Sequence, residues 1–544
     1  MTEPERRENG ARRRPGRLLL LLGTAAALLL CGCAAKVELS SGTVKDNLQS
    51  ITAVVTPEDL EKLDSFKQLG SADFSGSSCY AELADWAERH PLVEVAYTVA
   101  FPNGTAAEND THELDLTGLK DADLEEALEN LAYLPQLKSV NLGSDEDGLS
   151  PAGALKFREA RPDLEFDYHC RLLGKDSLLD ETKLDLTNVP ESKIRADLDV
   201  ISCLKDLKTI ELGSDEEKNA PDWKLIRALE EAAPGAKMHY RFTLYDIPLT
   251  LEDEEIDLSY RYIADGWPEV LEIAECMPNL KTLLMDTCAV GNEDMAKIRD
   301  ALPETEVVWR INFGLQYTAR TDATRILASS PSVGGNVTNR DLEKFKYFTK
   351  LKYLDIGHNE DITDLSFVRY LPDLEVLIIA MNPLGDLSPL ADCEKLEYLE
   401  LFYSHTDDLT PLAGLKNLKH LNVGHCPLLK DISPIYDLEL ERFYLGPFIS
   451  CPVPQEQVDH YRALHPDCEV ENEYWESSEG AWRRAANLTG EKLEWYQKQP
   501  YYSEERKGYA PRYALLRDQM EYDSLNYSTK SNDPLYRYVS WEIK

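Results

Sequence analysis

One apolar pattern recurs between residues 348 and 448 and constrains the fold more than any other feature of the chain. A large apolar residue returns at intervals of 23, 22, 22 and 22 residues, and each of its first four occurrences sits in the pattern Leu-x-x-Leu-x-(Ile, Leu or Val). A chance match would not keep its phase over five units, so this is a true repeat. The residues of this reference column are Leu354, Leu377, Leu399, Leu421 and Phe443.

The alternation in each unit predicts a short strand whose apolar residues point inward. A polar or small residue follows each strand and can hydrogen-bond the turn that leaves it. A second apolar motif, in three of the units of the form (Leu or Ile)-(Ser or Thr)-Pro-(Leu or Ile), then returns the chain along the other side. One unit cannot bury its own leucines, so neighbouring units must stack and share a core. The residues of the polar column are Asn359, Asn382, Ser404 and Cys426.

This pattern resembles the leucine-rich repeat, in particular the short 22-residue class of bacterial internalin-like surface proteins. The resemblance implies an α/β solenoid with a parallel sheet on its concave side and helices or short turns on its convex side. We assign residues 331–450 to these short repeats.

A longer repeat, with a period near 70 residues, occupies residues 46–330. Each unit reads as strand, helix, strand, helix, strand and a longer loop, which we interpret as a degenerate leucine-rich stretch. A separate array of α/β domains is the alternative, and the fixed period favours the solenoid. The matching first strands begin at Leu114, Leu184 and Ile256, and the matching second strands at Leu137, Leu207 and Leu280.

The N-terminus has the features of an export signal. The arginines Arg12, Arg13, Arg14 and Arg17 directly precede an apolar run from Leu18 to Leu30, which is too short to be a comfortable membrane span. The run ends in Leu30-Cys31-Gly32-Cys33, which resembles a bacterial lipobox. We therefore expect residues 1–32 to be a lipoprotein signal peptide, Cys33 to carry the lipid, and residues 33–45 to tether the chain to the extracytoplasmic face of the cell membrane. An ordinary cleaved signal with an incidental cysteine is the alternative.

The charge of the chain excludes one class of partner. It has 58 Lys and Arg against 98 Asp and Glu, a formal net charge of −40. Nucleic acid requires a basic surface, so we expect no nucleic-acid partner. Two acidic loops, residues 143–148 and 213–217, lack the EF-hand spacing and are interpreted as solvated turns rather than calcium sites. No metal site and no cofactor are expected.

The nine cysteines beyond Cys31 and Cys33 form no Cys-x-x-Cys pair. Cys203 and Cys276 each precede a strand leucine by four residues, so both are predicted to be buried as small apolar residues. Cys451 and Cys468 flank one predicted helix and are the plausible disulfide partners.

We assign residues 451–544 to a C-terminal cap and an aromatic tail. Residues 455–465 are predicted to form a helix and residues 468–470 a final strand. From Tyr474 onward the chain has 14 Tyr and Trp. The tail either covers the last repeat or offers an aromatic surface to a glycan or the cell wall. Its segment 510–517, followed by Tyr522, resembles tails of leucine-rich lipoproteins of Gram-positive gut Firmicutes.

In a leucine-rich repeat the concave sheet displays the residues beside and just after each strand leucine. Here those columns predict an exposed apolar and aromatic patch with a polar rim, which is typical of a binding surface. Neighbouring loops that cover some of these residues are the alternative. The predicted ligand-binding residues are Asp355, His358, Ile378, Met381, Glu400, Phe402, Tyr403, His425 and Tyr444.

These observations predict a non-enzymatic surface lipoprotein that binds a protein or peptide. No zinc-protease, nucleophile-elbow or phosphate-loop motif is present in the sequence. The alternatives are cell-wall or carbohydrate binding through the aromatic tail, and an unrecognised extracytoplasmic hydrolase.

The lipid anchor can be tested directly. A Cys33→Ala chain expressed in bacteria is expected to lose metabolic labelling by an alkyne fatty acid and to move from the membrane fraction to the soluble fraction. A Cys31→Ala chain serves as the control, because that cysteine precedes the expected cleavage site. Equal labelling of the Cys33→Ala and unmodified chains would contradict the lipobox interpretation.

Overall fold

The computed structural model describes residues 35–314, 317–329, 337–473, 482–483, 498 and 511–519. The lipobox with Cys33 lies outside these residues. None of the helices within the described ranges is long and apolar enough to cross a membrane. The chain divides into two compact units, one made of residues 1–181 and 199–206 and the other of residues 182–198 and 207–544.

The first unit begins with an antiparallel hairpin and continues with two modules in which parallel strands alternate with helices. The hairpin is β1 (Lys36–Leu39) and β2 (Gly42–Lys45). The first module comprises β3 (Ser50–Thr52), α1 (Pro57–Leu63), β4 (Ser71–Asp73), α2 (Tyr80–Arg89), β5 (Glu94–Ala96), β6 (Thr98–Ala100) and β7 (Ala106–Glu108). The second comprises β8 (Glu113–Asp115), α3 (Leu124–Leu131), β9 (Ser139–Ser144), α4 (Pro151–Ala160), β10 (Glu165–Leu172) and β11 (Lys175–Leu178).

The second unit starts with two more modules of the same kind. The third module comprises β12 (Lys183–Asp185), α5 (Glu191–Ala196), β13 (Thr209–Ser214), α7 (Trp223–Ala232), β14 (Lys237–Leu244) and β15 (Ile247–Thr250), with the short helix α6 (Leu198–Ile201) following α5 in the chain. The fourth comprises β16 (Glu255–Asp257), α8 (Trp267–Ala274), β17 (Thr282–Leu284), α9 (Asn292–Ala301), β18 (Glu306–Val308), β19 (Arg310–Phe313) and β20 (Tyr317–Arg320).

The modules differ from the sequence prediction at their ends. A longer loop was expected after the third strand, but each module ends in an antiparallel hairpin, such as β10 with β11 or β14 with β15. The apolar alternation simply continues beyond the predicted strand end. Tyr240, Phe242 and Leu244 are all buried along β14, so the strand runs for eight residues.

The short repeats form one seven-stranded parallel sheet. The reference column is in register across its strands, from Leu354 through Leu377, Leu399 and Leu421 to Phe443, and all five side chains are fully buried. The short helix α10 (Asn339–Leu342) precedes the second strand of this sheet in the chain, and short 3₁₀ turns such as Ser388–Asp392 form the convex side. This sheet confirms the leucine-rich repeat solenoid fold. Its strands are β21 (Arg325–Leu327), β22 (Tyr353–Asp355), β23 (Val376–Ile378), β24 (Tyr398–Glu400), β25 (His420–Asn422), β26 (Arg442–Tyr444) and β27 (Glu469–Glu471).

The asparagines of the polar column hydrogen-bond the turn that leaves each strand, as the sequence predicted, and they also link neighbouring repeats. The buried side-chain amide of Asn382 donates to the carbonyls of Ile379 and Ala380 in its own repeat and of Ile356 in the preceding one, at 3.1 to 3.3 Å. Asn359 makes the equivalent contacts and accepts a hydrogen bond from the backbone N–H of Val337. A buried carbonyl left without a partner costs about 1–3 kcal/mol, so these asparagines stabilise each turn.

The acidic loops of the long modules hydrogen-bond the backbone of the adjacent strand in the same module. The carboxylate of Asp145 accepts hydrogen bonds from the backbone N–H of Arg171, and that of Asp215 accepts one from the N–H of Thr243. Each loop therefore stabilises the position of the adjacent strand. Across the ranges that the structure describes, no three His, Cys, Asp or Glu side chains converge as metal ligands would.

The C-terminal end of the sheet contains the expected helix, α11 (Gln455–Leu464), and the expected strand, β27. Cys203 and Cys276 are buried, which confirms their predicted role. Cys451 and Cys468, the pair that could have formed a disulfide, are both free thiols. Cys451 is instead a buried side chain that contacts the carbonyl of Val423, and burial raises the pKa of its thiol to about 12.

Candidate functional site

The outward-facing side chains on the middle strands of the seven-stranded sheet are unexpectedly buried. These positions point away from the leucine core, yet Ile378 and Glu400 are 1 % exposed and Tyr444 is 0 % exposed. Val376 and Tyr398 are buried as well. Since the repeats themselves cannot cover this side, another segment must lie on it.

That segment is C-terminal. Trp482, 1 % exposed, and the helix α12 (Pro511–Gln519) lie against the inner face of the sheet. Trp482, Tyr513 and Leu516 form one apolar cluster with the outward-facing residues of the strands. The strand residues of this cluster are Val376, Ile378, Tyr398 and Tyr444, with Leu327, Tyr353 and Phe402 packed at its edge.

Glu400 is the polar centre of this contact. Its carboxylate accepts hydrogen bonds from Trp482 Nε1 at 2.7 Å, Arg483 Nε at 3.2 Å and Arg483 Nη2 at 2.6 Å. The hydroxyl of Tyr398 donates to the same carboxylate at 2.5 Å. A buried carboxylate is tolerated only when its oxygen atoms are paired in this way. The indole and the guanidinium of two consecutive residues are therefore both anchored by one side chain.

Cations of the C-terminal segment also lie over aromatic rings. The guanidinium carbon of Arg483 is 5.1 Å from the ring centroid of Tyr513, and that of Arg512 is 6.0 Å from the ring centroid of Tyr398. Arg442 of the sheet lies 5.6 Å from the ring centroid of Trp482. Distances within about 6 Å are attractive, because the face of an aromatic ring carries partial negative charge.

This arrangement corrects part of the predicted site. Ile378 and Tyr444 were expected in an exposed patch and Glu400 at its rim, and all three are instead covered by Trp482 and its neighbours. Asp355 was expected at the rim, but it is buried and accepts a hydrogen bond from the backbone N–H of Gly357 at 3.1 Å.

The sequence reasoning missed Trp482, Arg483, Tyr398 and Leu516 as parts of this face. A signal was present, since Val376 and Ile378 place two aliphatic side chains at outward positions of one strand. Such a pair is costly in water unless another segment buries it.

The remaining predicted residues form a neighbouring group, here called the margin cluster, at the ends of the strands. It consists of His358, Met381, Phe402, Tyr403 and His425. His358 and Tyr403 are exposed, Met381 and Phe402 are partly buried, and His425 is buried. Tyr403 is 54 % exposed, and its ring is stacked on that of His425 at a centroid distance of 5.5 Å and an interplanar angle of 16°. The ring of Phe402 meets His425 edge-on at 4.9 Å.

The backbone of the margin cluster adopts a conformation that usually belongs to glycine. The φ angles of His358, Met381, Tyr403 and His425 are 58°, 61°, 65° and 56°, and Gly446 occupies the same corner in the next repeat. The corner needs this geometry, because the N–H of Tyr403 donates to the carbonyl of Gly424 at 2.9 Å in the neighbouring repeat. A non-glycine residue there costs roughly 1–2 kcal/mol. Four such corners nevertheless carry large side chains, and we therefore treat the strand ends as a candidate site.

The solved structures that this chain is similar to include leucine-rich repeat proteins, and both the sequence identities and the TM-scores are low. No protein-family model matches the chain. No curated protein matches it either. A leucine-rich repeat protein of Leptospira interrogans is 16 % identical with a TM-score of 0.25, over 77 % of this chain and 99 % of that one.

Two internalins of Listeria monocytogenes are also similar. Internalin C2 is 21 % identical with a TM-score of 0.16, over 48 % of this chain and 84 % of its own. Internalin F is 17 % identical with a TM-score of 0.17, over 70 % of this chain and 86 % of its own. Such TM-scores are too low to superimpose whole chains, so the repeat fold rests on the strand register described above.

His420 adds a titratable group to the covered face. It is buried, its ring is stacked on Tyr398 at 5.7 Å, and Trp482, Arg442 and Arg512 lie around it. Glu441 is the nearby carboxylate, at 3.9 Å. Burial, reinforced by the positive charges of Arg512 and Arg442, lowers the pKa of His420 to about 3. The folded chain therefore holds this histidine neutral.

The pH dependence of stability follows from His420. A lowered folded-state pKa gives stability that is fully present above the unfolded pKa of about 6.5 and is lost as pH falls toward 3. Between pH 7 and pH 5 the unmodified chain is expected to lose about 2 kcal/mol more free energy of unfolding than a His420→Gln chain. Denaturant titrations of both chains at the two pH values measure this difference. Parallel losses in the two chains would contradict the assignment.

Proposed function

We propose that this chain is a non-enzymatic, lipid-anchored surface protein that binds a protein or peptide at the margin cluster. The observation that carries the proposal is the half-exposed ring of Tyr403, held on His425 in a left-handed corner. A rigid, partly exposed aromatic group offers a large contact area at little entropic cost, which is why aromatic residues dominate binding hot spots.

Two properties of the chain support this kind of ligand. The margin cluster combines apolar, aromatic and imidazole groups, which suits the mixed surface of a folded protein or a peptide. The net charge of −40 favours a neutral or cationic partner over an anionic one. Anchoring through Cys33 would place this surface outside the cytoplasmic membrane, where a protein partner of the envelope or medium can reach it.

Glycan binding through the aromatic tail receives no support from the described part of that tail. Trp482 and Tyr513 are both buried against the sheet and cannot stack on a sugar. Trp495, Tyr496, Tyr522, Tyr536 and Trp541 lie outside the described residues.

The test uses photo-crosslinking from one side chain. A chain without residues 1–33, carrying p-benzoylphenylalanine at position 403, is mixed with envelope and spent-medium extracts and irradiated. The same probe at Tyr370 is the matched control, since Tyr370 is 52 % exposed and lies in a 3₁₀ turn of the convex side. We expect a specific adduct at position 403 that is absent at position 370, and mass spectrometry then identifies the partner.

A second variant makes the result quantitative. Tyr403→Ala is expected to weaken binding of the identified partner about tenfold or more, as loss of a hot-spot aromatic ring does. Identical adducts at positions 403 and 370, or full affinity in Tyr403→Ala, would overturn the margin cluster as the site.

A further inference from the structure

We propose that the inner face of the sheet is a second recognition site, selective for a protein segment with adjacent tryptophan and arginine, and that the chain's own Trp482–Arg483 pair occupies it until such a segment of another protein displaces it. This site, here called the inner groove, consists of Val376, Ile378, Tyr398, Glu400 and Tyr444. It shares no residue with the margin cluster, which adjoins it at Phe402.

The selectivity comes from Glu400. Of the four hydrogen bonds that described residues donate to its carboxylate, three come from Trp482 and Arg483 and one from Tyr398 of the sheet. The guanidinium of Arg483 binds both oxygen atoms, through Nε to Oε1 and Nη2 to Oε2. Lysine lacks this fork, and phenylalanine lacks the indole N–H, so neither residue would satisfy the carboxylate equally.

The walls of the inner groove fit an indole ring. The ring centroid of Trp482 lies 5.5 Å from that of Tyr398 and 6.3 Å from that of Tyr444, both at tilted angles. These separations fall in the range where aromatic pairs attract beyond simple burial. Val376 and Ile378 complete the apolar surface of the cluster. The aromatic walls therefore favour a tryptophan, and the carboxylate of Glu400 favours an arginine next to it in the chain.

The described part of the C-terminal segment leaves two buried polar atoms of the inner face without a hydrogen-bond partner. Nδ2 of Asn422 and Nδ1 of His420 are buried on the same face and have no hydrogen-bond partner among the described residues. A buried polar atom without a partner costs about 1–3 kcal/mol. A segment that carries the same Trp-Arg pair and also pairs these two atoms would bind better than the tail.

The same reasoning identifies the occupant. A second copy of this chain would bring an identical segment with the same contacts among the described residues, so it would bind no more tightly than the tail already present. A different protein could pair the two nitrogen atoms as well and would then bind more tightly than the tail. The tail also differs in charge from the rest of the chain, since residues 474–544 have 11 Lys and Arg and 11 Asp and Glu, and the whole net charge of −40 lies in residues 1–473.

The experiment opens the inner groove and supplies the segment separately. The full chain with Trp482→Ala and Arg483→Ala is titrated against a fluorescein-labelled peptide of residues 478–487, with anisotropy as the readout. We expect the peptide to bind this opened chain at least about tenfold more tightly than the unmodified chain, in which the tail competes. Adding Glu400→Gln to the opened chain should weaken binding about tenfold, whereas adding Glu394→Gln, an exposed carboxylate of the same repeat, should not.

Further variants keep the test decisive. A peptide in which lysine replaces the residue corresponding to Arg483 should bind about tenfold more weakly, because it cannot form the two-oxygen contact. If the opened chain loses its near-ultraviolet circular dichroism, the milder Arg483→Lys chain replaces it and should still bind the peptide more tightly than the unmodified chain.

Three outcomes would overturn the proposal. Absence of binding to a folded, opened chain, or equal binding with and without the substitutions, would make the C-terminal segment a structural cover only. Exchange of tails between copies, seen as a dimer in sedimentation of the unmodified chain, would replace the outside partner with a second copy. None of these outcomes alters the crosslinking at position 403, so the two sites are tested independently.

Discussion

The register of the seven-stranded sheet is the constraint on which the rest of this region depends. One strand per 22 residues places Leu377, Leu399 and Leu421 directly beside one another, and a shift of one residue would turn every one of them toward the opposite face. The asparagine column and the short convex turns hold each repeat at this register. Everything on the inner face, including Glu400, is positioned as a consequence.

A parallel sheet that buries its leucines on one face must have its other face either exposed to solvent or covered by another segment. Here several residues that flank the reference column, among them Val376, Ile378 and Tyr444, are apolar or aromatic, and the C-terminal segment buries them. Burial in turn makes the charge of Glu400 costly unless it is paired, which the Trp482 and Arg483 side chains accomplish. The exposed aromatic surface therefore lies at the strand ends, where the ring of Tyr403 is stacked on the buried His425.

The sequence predicts what is periodic and misses what is not. The reference column, the polar column, the final helix and the final strand all follow from spacing, and the structure contains each of them. The hairpins that end the long modules were missed because their apolar alternation runs past the point where the repeat alignment stops. The cover over Ile378 and Tyr444 was missed for another reason, since Glu400 and Trp482 are 82 residues apart and no repeat links them.

The C-terminal segment is docked on the inner face through the contact between Glu400 and Arg483. A double-mutant cycle on the free energy of unfolding, with Glu400→Gln, Arg483→Gln and both together, measures the strength of this contact. Charge-assisted hydrogen bonds of a buried carboxylate predict a coupling energy of about 1.5–3 kcal/mol between the two positions. Additive effects, with a coupling energy near zero, would show that the two side chains do not meet and would contradict the account.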